Sequence, residues 1–175
     1  MNRLEKLKDQ LGPPSDRATA KVVDFMSAEI QEFISKSPFA IVSTSNADGD
    51  CDSSPKGGQP GFIKVLDKQS LLIPDICGNR LFQGFANIQS NPKIGLLFMI
   101  PGINKTARVN GRVTELDSNE VKAHGADVQI FNSDSNSTLI QGLIVHVDEA
   151  YLHCPRALRF SELWNIDCIK NNQNA

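Results

Sequence analysis

Short apolar segments separated by turn-forming residues run through most of the chain, a pattern typical of β-strands. The pattern predicts six or seven strands, which lie at Phe39–Thr44, Cys51–Lys56, Phe62–Asp67, Leu71–Pro74, Lys93–Ile100, Lys105–Glu115 and Leu139–Val147. Polar turns join most neighbouring strands, and the first turn contains Asp48-Gly49, a dipeptide that favours tight hairpins. The chain is therefore predicted to form an antiparallel barrel built mainly from hairpins.

The segment Lys105–Glu115 alternates strictly, which assigns its side chains to two faces of a strand. Ala107 and Val109 share one face, whereas Thr106 and Arg108 share the other, because successive strand residues point to opposite sides. Thr106 and Arg108 are therefore the pair that can meet a polar ligand.

Apolar residues spaced three or four apart predict helices before, within and after the strands. These helices are Arg17–Ser35, with an apolar stripe of Val22, Met26, Ile30 and Phe33, then Arg80–Ser90, Asn119–Ala123 and Pro155–Trp164. The segment 132–137 is predicted to be a polar loop, and the tail after Asp167 is expected to be frayed. The fold class is thus mainly β with flanking helices.

Net charge, apolar runs and the spacing of possible metal ligands argue against several classes of protein. The 175 residues carry a net charge of −2, which argues against a general nucleic-acid binder. No apolar run reaches the roughly 20 residues of a membrane span, and Met1–Leu11 lacks the apolar core of a signal peptide. The spacing of His146, His153 and Cys154 fits no common metal site. We expect a cytoplasmic protein that binds neither metal, membrane nor nucleic acid.

Positive charge is concentrated in the middle of the chain. Eight basic residues and only two acidic ones, Asp67 and Asp75, lie between Ser54 and Val113, so this stretch carries +6. A basic centre in an acidic protein is consistent with a local anionic ligand. Ordinary exposed lysines and arginines explain the same count equally well.

The tripeptide Gly78-Asn79-Arg80 precedes the predicted middle helix. Asn79 is suited to cap that helix, and a helix start presents unpaired N–H groups to an anion. Arg80 in the first turn has the wrong sign for the helix dipole unless an anion compensates it. A phosphate would supply that compensation, whereas the alternative is an exposed arginine on a capped helix.

Other polar residues lie on strand faces where they can meet a polar ligand. Ser54 and Lys56 are two apart, which places a hydroxyl and an ammonium about 6–7 Å apart on one side. Thr106 and Arg108 repeat that arrangement. Lys64 is either a surface lysine with a buried stem or a ligand of a cofactor.

Common catalytic signatures are absent from the sequence. No GxGxxG, Walker, GxSxG or HExxH motif occurs. A basic barrel face without reactive side chains of its own indicates that a bound cofactor would supply the reactivity. The catalytic residues are therefore unknown at this point.

Several segments, taken in order, resemble the pyridoxamine 5'-phosphate oxidase-related FMN-binding split-barrel proteins. The matching segments are Phe39–Thr44, Ser54–Gly57, Pro60–Asp67, Leu72–Asp75, Gly78–Arg80, Asn87-Ile88, Asn91–Phe98 and Arg108–Arg112. His153–Leu158 and Leu163-Trp164 resemble the C-terminal part of a subgroup of probable FMN-dependent enzymes. The resemblance extends from about Ile34 to Trp164.

The resemblance implies a homodimer that binds FMN at its interface and acts on a small molecule. It also implies a helical segment at 1–37, a split-barrel domain at 38–165 and a tail at 166–175. The FMN-binding residues that it implies, together with those chosen from charge and spacing, are Ser54, Lys56, Phe62, Ile63, Lys64, Val65, Ile73, Pro74, Asn79, Arg80, Thr106 and Arg108.

Departures from the family pattern limit the expected activity. The oxidase usually has an arginine where this chain has Gly61 or Phe62, so oxidation of vitamin B6 is doubtful and an FMN-dependent oxidoreductase of unknown substrate is the main hypothesis. His153 and Trp164 either line the substrate side or have structural roles. The alternative function is a non-catalytic flavin- or haem-binding module, such as a stress-related carrier or sensor.

Overall fold

The computed structural model describes residues 2–78 and 80–174, which form seven strands and seven helices. The strands are β1 (Phe39–Ser45), β2 (Cys51–Gly57), β3 (Lys64–Asp67), β4 (Ser70–Ile76), β5 (Lys93–Met99), β6 (Thr106–Asp117) and β7 (Leu139–His153). The helices are α1 (Arg3–Leu11), α2 (Asp16–Ala20), α3 (Ala28–Lys36), α4 (Gln83–Ser90), α5 (Ser118–Ala123), α6 (Arg156–Phe160) and α7 (Ile166–Gln173).

All seven strands join one antiparallel sheet in the order β2-β1-β5-β6-β7-β4-β3. The longest pairing joins β6 to β7, from Thr106 opposite His153 to Asp117 opposite Gln141. Four pairings join strands that follow each other in sequence, as the turn-forming residues predict. The mainly β, antiparallel split-barrel fold with flanking helices is thus confirmed.

One face of the sheet builds the core. Directly paired residues of an antiparallel sheet share a face, and the row that joins Ala40, Phe98 and Ala107 is fully buried. Val42 and Leu96 form the next buried row. Ser54 and Lys56 pair with this side of β1, so both project toward the core side of the barrel.

The opposite side of the same strands is here called the outer face. Its central row contains Pro55, Ile41, Leu97, Arg108 and Tyr151. The adjacent row contains Gly57, Phe39, Met99, Thr106 and His153. Ile41, Leu97, Phe39 and Met99 are only half-buried, which leaves a continuous apolar strip on the surface of the chain.

The predicted helix at Arg17–Ser35 is wrong as a single element. Helix α2 ends at Ala20 and α3 begins at Ala28, and between them Val23 exchanges backbone hydrogen bonds with Ala150 of β7 at 2.7 and 3.3 Å. Pairing with a strand satisfies backbone groups that a helix would otherwise use. Met26, Ile30 and Phe33 are still buried as the stripe predicted, whereas Val22 is exposed.

Other element boundaries also differ from the prediction. The middle helix begins at Gln83 instead of Arg80, and β3 begins at Lys64 instead of Phe62. The predicted helix from Pro155 to Trp164 ends at Phe160. The tail after Asp167 is helical, because Asn165 caps α7 by accepting hydrogen bonds from the N–H groups of residues 167 and 168.

The described residues give no sign of a metal centre, since they bring together no group of three His, Cys, Asp or Glu side chains able to hold an ion. All four cysteines are free thiols. Across 2–78 and 80–174, no helix has the length and apolar character that crossing a membrane requires.

Candidate functional site

The first recess lies between β2, β4 and the start of α4, and its volume is about 130 Å³. Its polar lining comes from Thr44, Asp52, Ser54, Lys56, Asp75, Arg80 and Gln83. Its apolar walls include Val42, Ile73, Phe85, Ile88 and Leu143. The structure thus brings four of the predicted cofactor-binding residues, Ser54, Lys56, Ile73 and Arg80, to one recess.

An ion pair between Lys56 and Asp75 lies in the wall of this recess. The Asp75 side chain is almost fully buried and that of Lys56 is one-third exposed. Burial of a lone carboxylate is costly, so the ammonium of Lys56 compensates Asp75 and positions it. Beside this pair, Ser54 Oγ donates a hydrogen bond to Asp52 Oδ2 at 3.0 Å.

The start of α4 forms the rim of the first recess. Arg80 and Phe82 both adopt left-handed backbone conformations, with φ of 62° and 53°, which turns the chain sharply into the helix. Phe82 occupies the N-cap position, where its phenyl ring offers no acceptor to the N–H groups of the first turn. This helix end can therefore interact with an anion.

The prediction for Arg80 has to be corrected in one respect. Arg80 precedes α4 and does not occupy its first turn, so the predicted conflict with the helix dipole does not arise. Its exposed side chain nevertheless lines the first recess. Asn79, the predicted cap, lies outside the described residues.

The second recess adjoins the first and has a volume of about 240 Å³. Lys56 and Asp75 line both, and the second recess adds Phe62 and Pro74 from the predicted cofactor-binding set. Its opposite wall is the segment Val128–Ile130. Gly58 allows this segment to approach, since a Cβ there would meet the carbonyl oxygen of residue 129 at 2.4 Å.

Three predicted residues of the β3 segment have contacts within the chain. Ile63 is fully buried, and Val65 packs against the hydrophobic core. Lys64 Nζ donates hydrogen bonds to the carbonyl oxygens of His124 and Gly125 at 2.8 and 2.9 Å. Lys64 therefore caps the end of α5, as a lysine near a helix C-terminus commonly does.

The remaining predicted residues lie on the outer face. Thr106 is buried opposite His153, and Arg108 Nη1 donates a hydrogen bond to Tyr151 Oη at 2.8 Å. The rings of Tyr151 and His153 have centroids 4.7 Å apart. Lys21 Nζ lies 4.9 Å from the centroid of the Tyr151 ring, a cation–π contact. We name Lys21, Arg108, Tyr151 and His153 the tyrosine cluster.

His153 is more easily kept neutral than an ordinary histidine. Partial burial lowers the pKa of its imidazole, and the positive charges of Arg108 and Lys21 lower it further. Both effects disfavour the imidazolium form. His153 is therefore available as a neutral hydrogen-bonding group near neutral pH.

A single chain does not bring the recesses and the tyrosine cluster together. Ser54 and Lys56 point to the core side of the sheet, whereas Arg108 and Tyr151 lie on the outer face. Leu143, which lines the first recess, is ten residues before His153 along β7, or about 33 Å of strand. One small ligand that contacts both groups requires two chains.

Trp164 lies in the turn region between α6 and α7. Its indole Nε1 is buried and has no hydrogen-bond partner among residues 2–78 and 80–174. The prediction that Trp164 lines a substrate site stays a prediction.

The basic central stretch does not form one charged patch. Lys93 and Arg112 both pair with Asp148, Lys105 pairs with Glu29, and Lys56 pairs with Asp75. Two acids from outside the stretch, Glu29 and Asp148, thus neutralise part of its charge. The count of charges along the sequence overstated the positive potential available to a ligand.

Several residues of these sites were missed at the level of sequence. Tyr151, the only tyrosine, lies two residues before His153, and this spacing on a strand places both on one face. Asp52 has the same relation to Ser54. Asp75 and Lys21 carry no comparable local signal, because their partners Lys56 and Tyr151 are distant in sequence.

Comparison with known families identifies the group to which this barrel belongs. The family model described as pyridoxamine 5'-phosphate oxidase matches residues 26–154, which include both recesses and most of the tyrosine cluster. The chain belongs to this family. No curated protein sequence matches the chain.

Solved structures with the same fold have low sequence identity to the chain. A candidate pyridoxamine 5'-phosphate oxidase from Lactobacillus delbrueckii has a TM-score of 0.55 at 16% identity, covering 74% of this chain and 95% of the other. A HupZ variant from Group A Streptococcus has a TM-score of 0.51 at 17% identity, covering 73% and 99%. A Clostridium acetobutylicum protein related to general stress protein 26 has a TM-score of 0.50 at 13% identity, covering 72% and 86%. These likenesses establish the fold alone.

Proposed function

We propose that this protein is an FMN-dependent oxidoreductase that binds the cofactor at the interface of a homodimer and acts on a small molecule. The observation that carries the proposal is the first recess, where Ser54, Lys56, Ile73 and Arg80 meet the start of α4, whose N-cap residue Phe82 makes no capping side-chain hydrogen bond. Membership of the pyridoxamine 5'-phosphate oxidase family supports it.

The lining of the first recess is chemically suited to a flavin mononucleotide. Ile73, Leu143 and Phe85 provide apolar surface for a ring system. Arg80 and the N–H groups at the start of α4 provide positive charge and donors for a phosphate. When bound, FMN would supply hydride chemistry that the side chains of this chain lack.

The size of the first recess supports a shared site. Binding pockets for ligands of drug size measure roughly 300–1,000 Å³, whereas this recess measures about 130 Å³. A flavin held here would extend beyond the recess and need covering by further protein surface. A second chain can provide that surface.

The outer face is the surface that we propose for this contact. Ile41, Leu97, Phe39 and Met99 form its apolar strip, and contiguous exposed apolar surface is typical of an interaction site. Thr106 and Arg108 lie on the same face. Dimerisation through it would let one chain add Thr106 and Arg108 to the recess of its partner.

The side chains of the site have distinct roles in this proposal. Arg80 binds the phosphate, and Arg108 donates to a polar edge of the flavin ring. Lys56 pairs with Asp75 and so offsets the negative charge that this side chain would otherwise present to the cofactor. His153, kept neutral by its surroundings, faces the substrate side. We do not propose that this protein oxidises vitamin B6.

Spectroscopy of the purified protein tests this function. We expect a yellow protein, or one that quenches the fluorescence of added FMN until one FMN is bound per chain. We further expect NADH or NADPH to reduce the bound flavin, with repeated turnover once an acceptor is added.

The same experiment separates the alternatives. Stoichiometric binding of FMN without turnover by either donor would favour a non-catalytic flavin carrier. A Soret band after addition of haem, lost in His153→Ala, would favour a haem-binding module. A colourless protein that leaves FMN fluorescence unchanged would contradict the proposed function.

A further inference from the structure

A third recess, here called the N-terminal recess, opens where the segment around α2 meets the end of β7. Its volume is about 850 Å³, which is large enough for a small molecule. Arg17 and Lys21 line one side, and His153 with Cys154 line the other. Lys105 and Glu29 also line it and form an ion pair with each other at 2.8 Å.

The charge of the N-terminal recess is not balanced from within. Lys105 is compensated by Glu29, but Arg17 and Lys21 have no carboxylate within salt-bridge distance among the described residues. Two uncompensated cations along one concave wall raise the local positive potential, and concave walls concentrate the electric field. A bound oxyanion would compensate the positive charges of Arg17 and Lys21.

Contacts outside this lining position two of its residues, Lys21 and His153. Lys21 contacts the Tyr151 ring, and Arg108 holds the phenol through the 2.8 Å hydrogen bond to its oxygen. The His153 ring contacts the same ring in a tilted arrangement, with 53° between the two planes. On this side of β6 and β7 the next row contains Glu149, whose carboxylate is occupied by Asn110 Nδ2 at 3.0 Å. The described acidic groups therefore leave Lys21 and His153 available to a ligand.

We propose that the N-terminal recess is a binding site for a small oxyanion-bearing ligand, whose phosphate or carboxylate group is held by Arg17 and Lys21 beside His153. Arginine and lysine are the residues that most often bind such groups. Arg17 and Lys21 precede the residues matched by the family model, so the site is built from an element of this chain outside that match.

The His153 ring serves as the reporter for this site. A bound anion favours the imidazolium form, so binding of inorganic phosphate should raise the pKa of His153, which lies below its ordinary value in the ligand-free chain. The chain has three histidines, whose imidazole C–H signals can be followed by NMR across a pH titration. Inorganic phosphate and succinate are the probes, and they separate a phosphate site from a carboxylate site.

Substitution of Arg17 and Lys21 tests whether these two residues hold the anion. In the full-length protein saturated with FMN, Arg17→Ala with Lys21→Ala should weaken the phosphate or succinate response of His153 by at least roughly tenfold. Lys21→Arg, which keeps the charge, should retain the response, as should the control Lys170→Ala in α7. Thermal unfolding of each variant verifies that the fold is intact.

The proposal is overturned if neither probe shifts His153 in the unaltered protein. It is also overturned if the double variant responds normally, or if Arg80→Glu abolishes the response, since the anion would then bind at α4. A protein that fails to bind FMN can be titrated as purified, so failure of the proposed function leaves this test intact.

Discussion

Replacing Arg80 by glutamate should weaken FMN binding at least tenfold. Arg80 lines the first recess at the start of α4, where its guanidinium and the helix N–H groups would share the phosphate. Glutamate removes the charge-assisted contact and introduces repulsion. Tenfold corresponds to about 1.4 kcal/mol, the least expected when such a contact is lost. Quenching of FMN fluorescence measures the dissociation constant.

The matched control reverses a charge far from the recess. Arg3 lies on α1, whose residues are all exposed. Arg3→Glu should leave the FMN affinity within about twofold of that of the unaltered protein. Both variants carry the same net charge, so a difference between them cannot come from the overall field of the protein. An Arg80→Glu protein with unaltered affinity would show that the phosphate binds elsewhere.

Replacing Ile41 by glutamate should separate the dimer and abolish tight FMN binding. Ile41 lies in the central row of the outer face, beside Leu97, and is half-buried in the single chain. A carboxylate in the middle of an apolar interface would be desolvated without a dedicated partner, which costs several kcal/mol. Light scattering coupled to size-exclusion chromatography measures the mass, and FMN titration follows on the same sample.

A second isoleucine serves as the control for this variant. Ile103→Glu changes an exposed residue in the turn between β5 and β6 and should leave the mass unchanged. The core side of β1, which includes Ala40 and Val42, is untouched in Ile41→Glu. A stable Ile41→Glu dimer would place the interface on another surface, and a monomer that binds FMN normally would contradict the shared site.

The sequence was sufficient to predict the strands because their signals are local. Each apolar segment is short and bounded by turn residues, and the alternation in Lys105–Glu115 places Ala107 and Val109 on one face, which the structure buries. The prediction of one helix at Arg17–Ser35 is wrong although most of its apolar stripe is buried. The helix is interrupted where Val23 pairs with Ala150, and these two residues are separated by most of the sequence. Periodicity alone does not report such a contact.

The site was only partly predictable for a related reason. Ser54, Lys56 and Arg80, which spacing and charge single out, converge on the first recess, and their role in binding a cofactor stays a prediction. What spacing could not supply is the pairing of Lys56 with Asp75, or the separation of Thr106 and Arg108 onto the opposite side of the sheet. Both depend on how distant strands align, and a one-residue slip in that alignment exchanges the two faces.

Mixed dimers provide the most direct test of the claim that two chains share one FMN. Arg80→Glu and Arg108→Gln, each as a homodimer, should have both sites impaired. In a mixed dimer of the two variants, one site combines Arg80 of one chain with Arg108 of the other and is intact. Co-expressed chains with different affinity tags allow the mixed species to be isolated and titrated.

We predict that the mixed dimer binds one FMN with the affinity of the unaltered protein, while its other site stays weak. A mixed dimer in which neither site reaches that affinity would mean that Arg80 and Arg108 do not meet across the interface, and it would contradict the account.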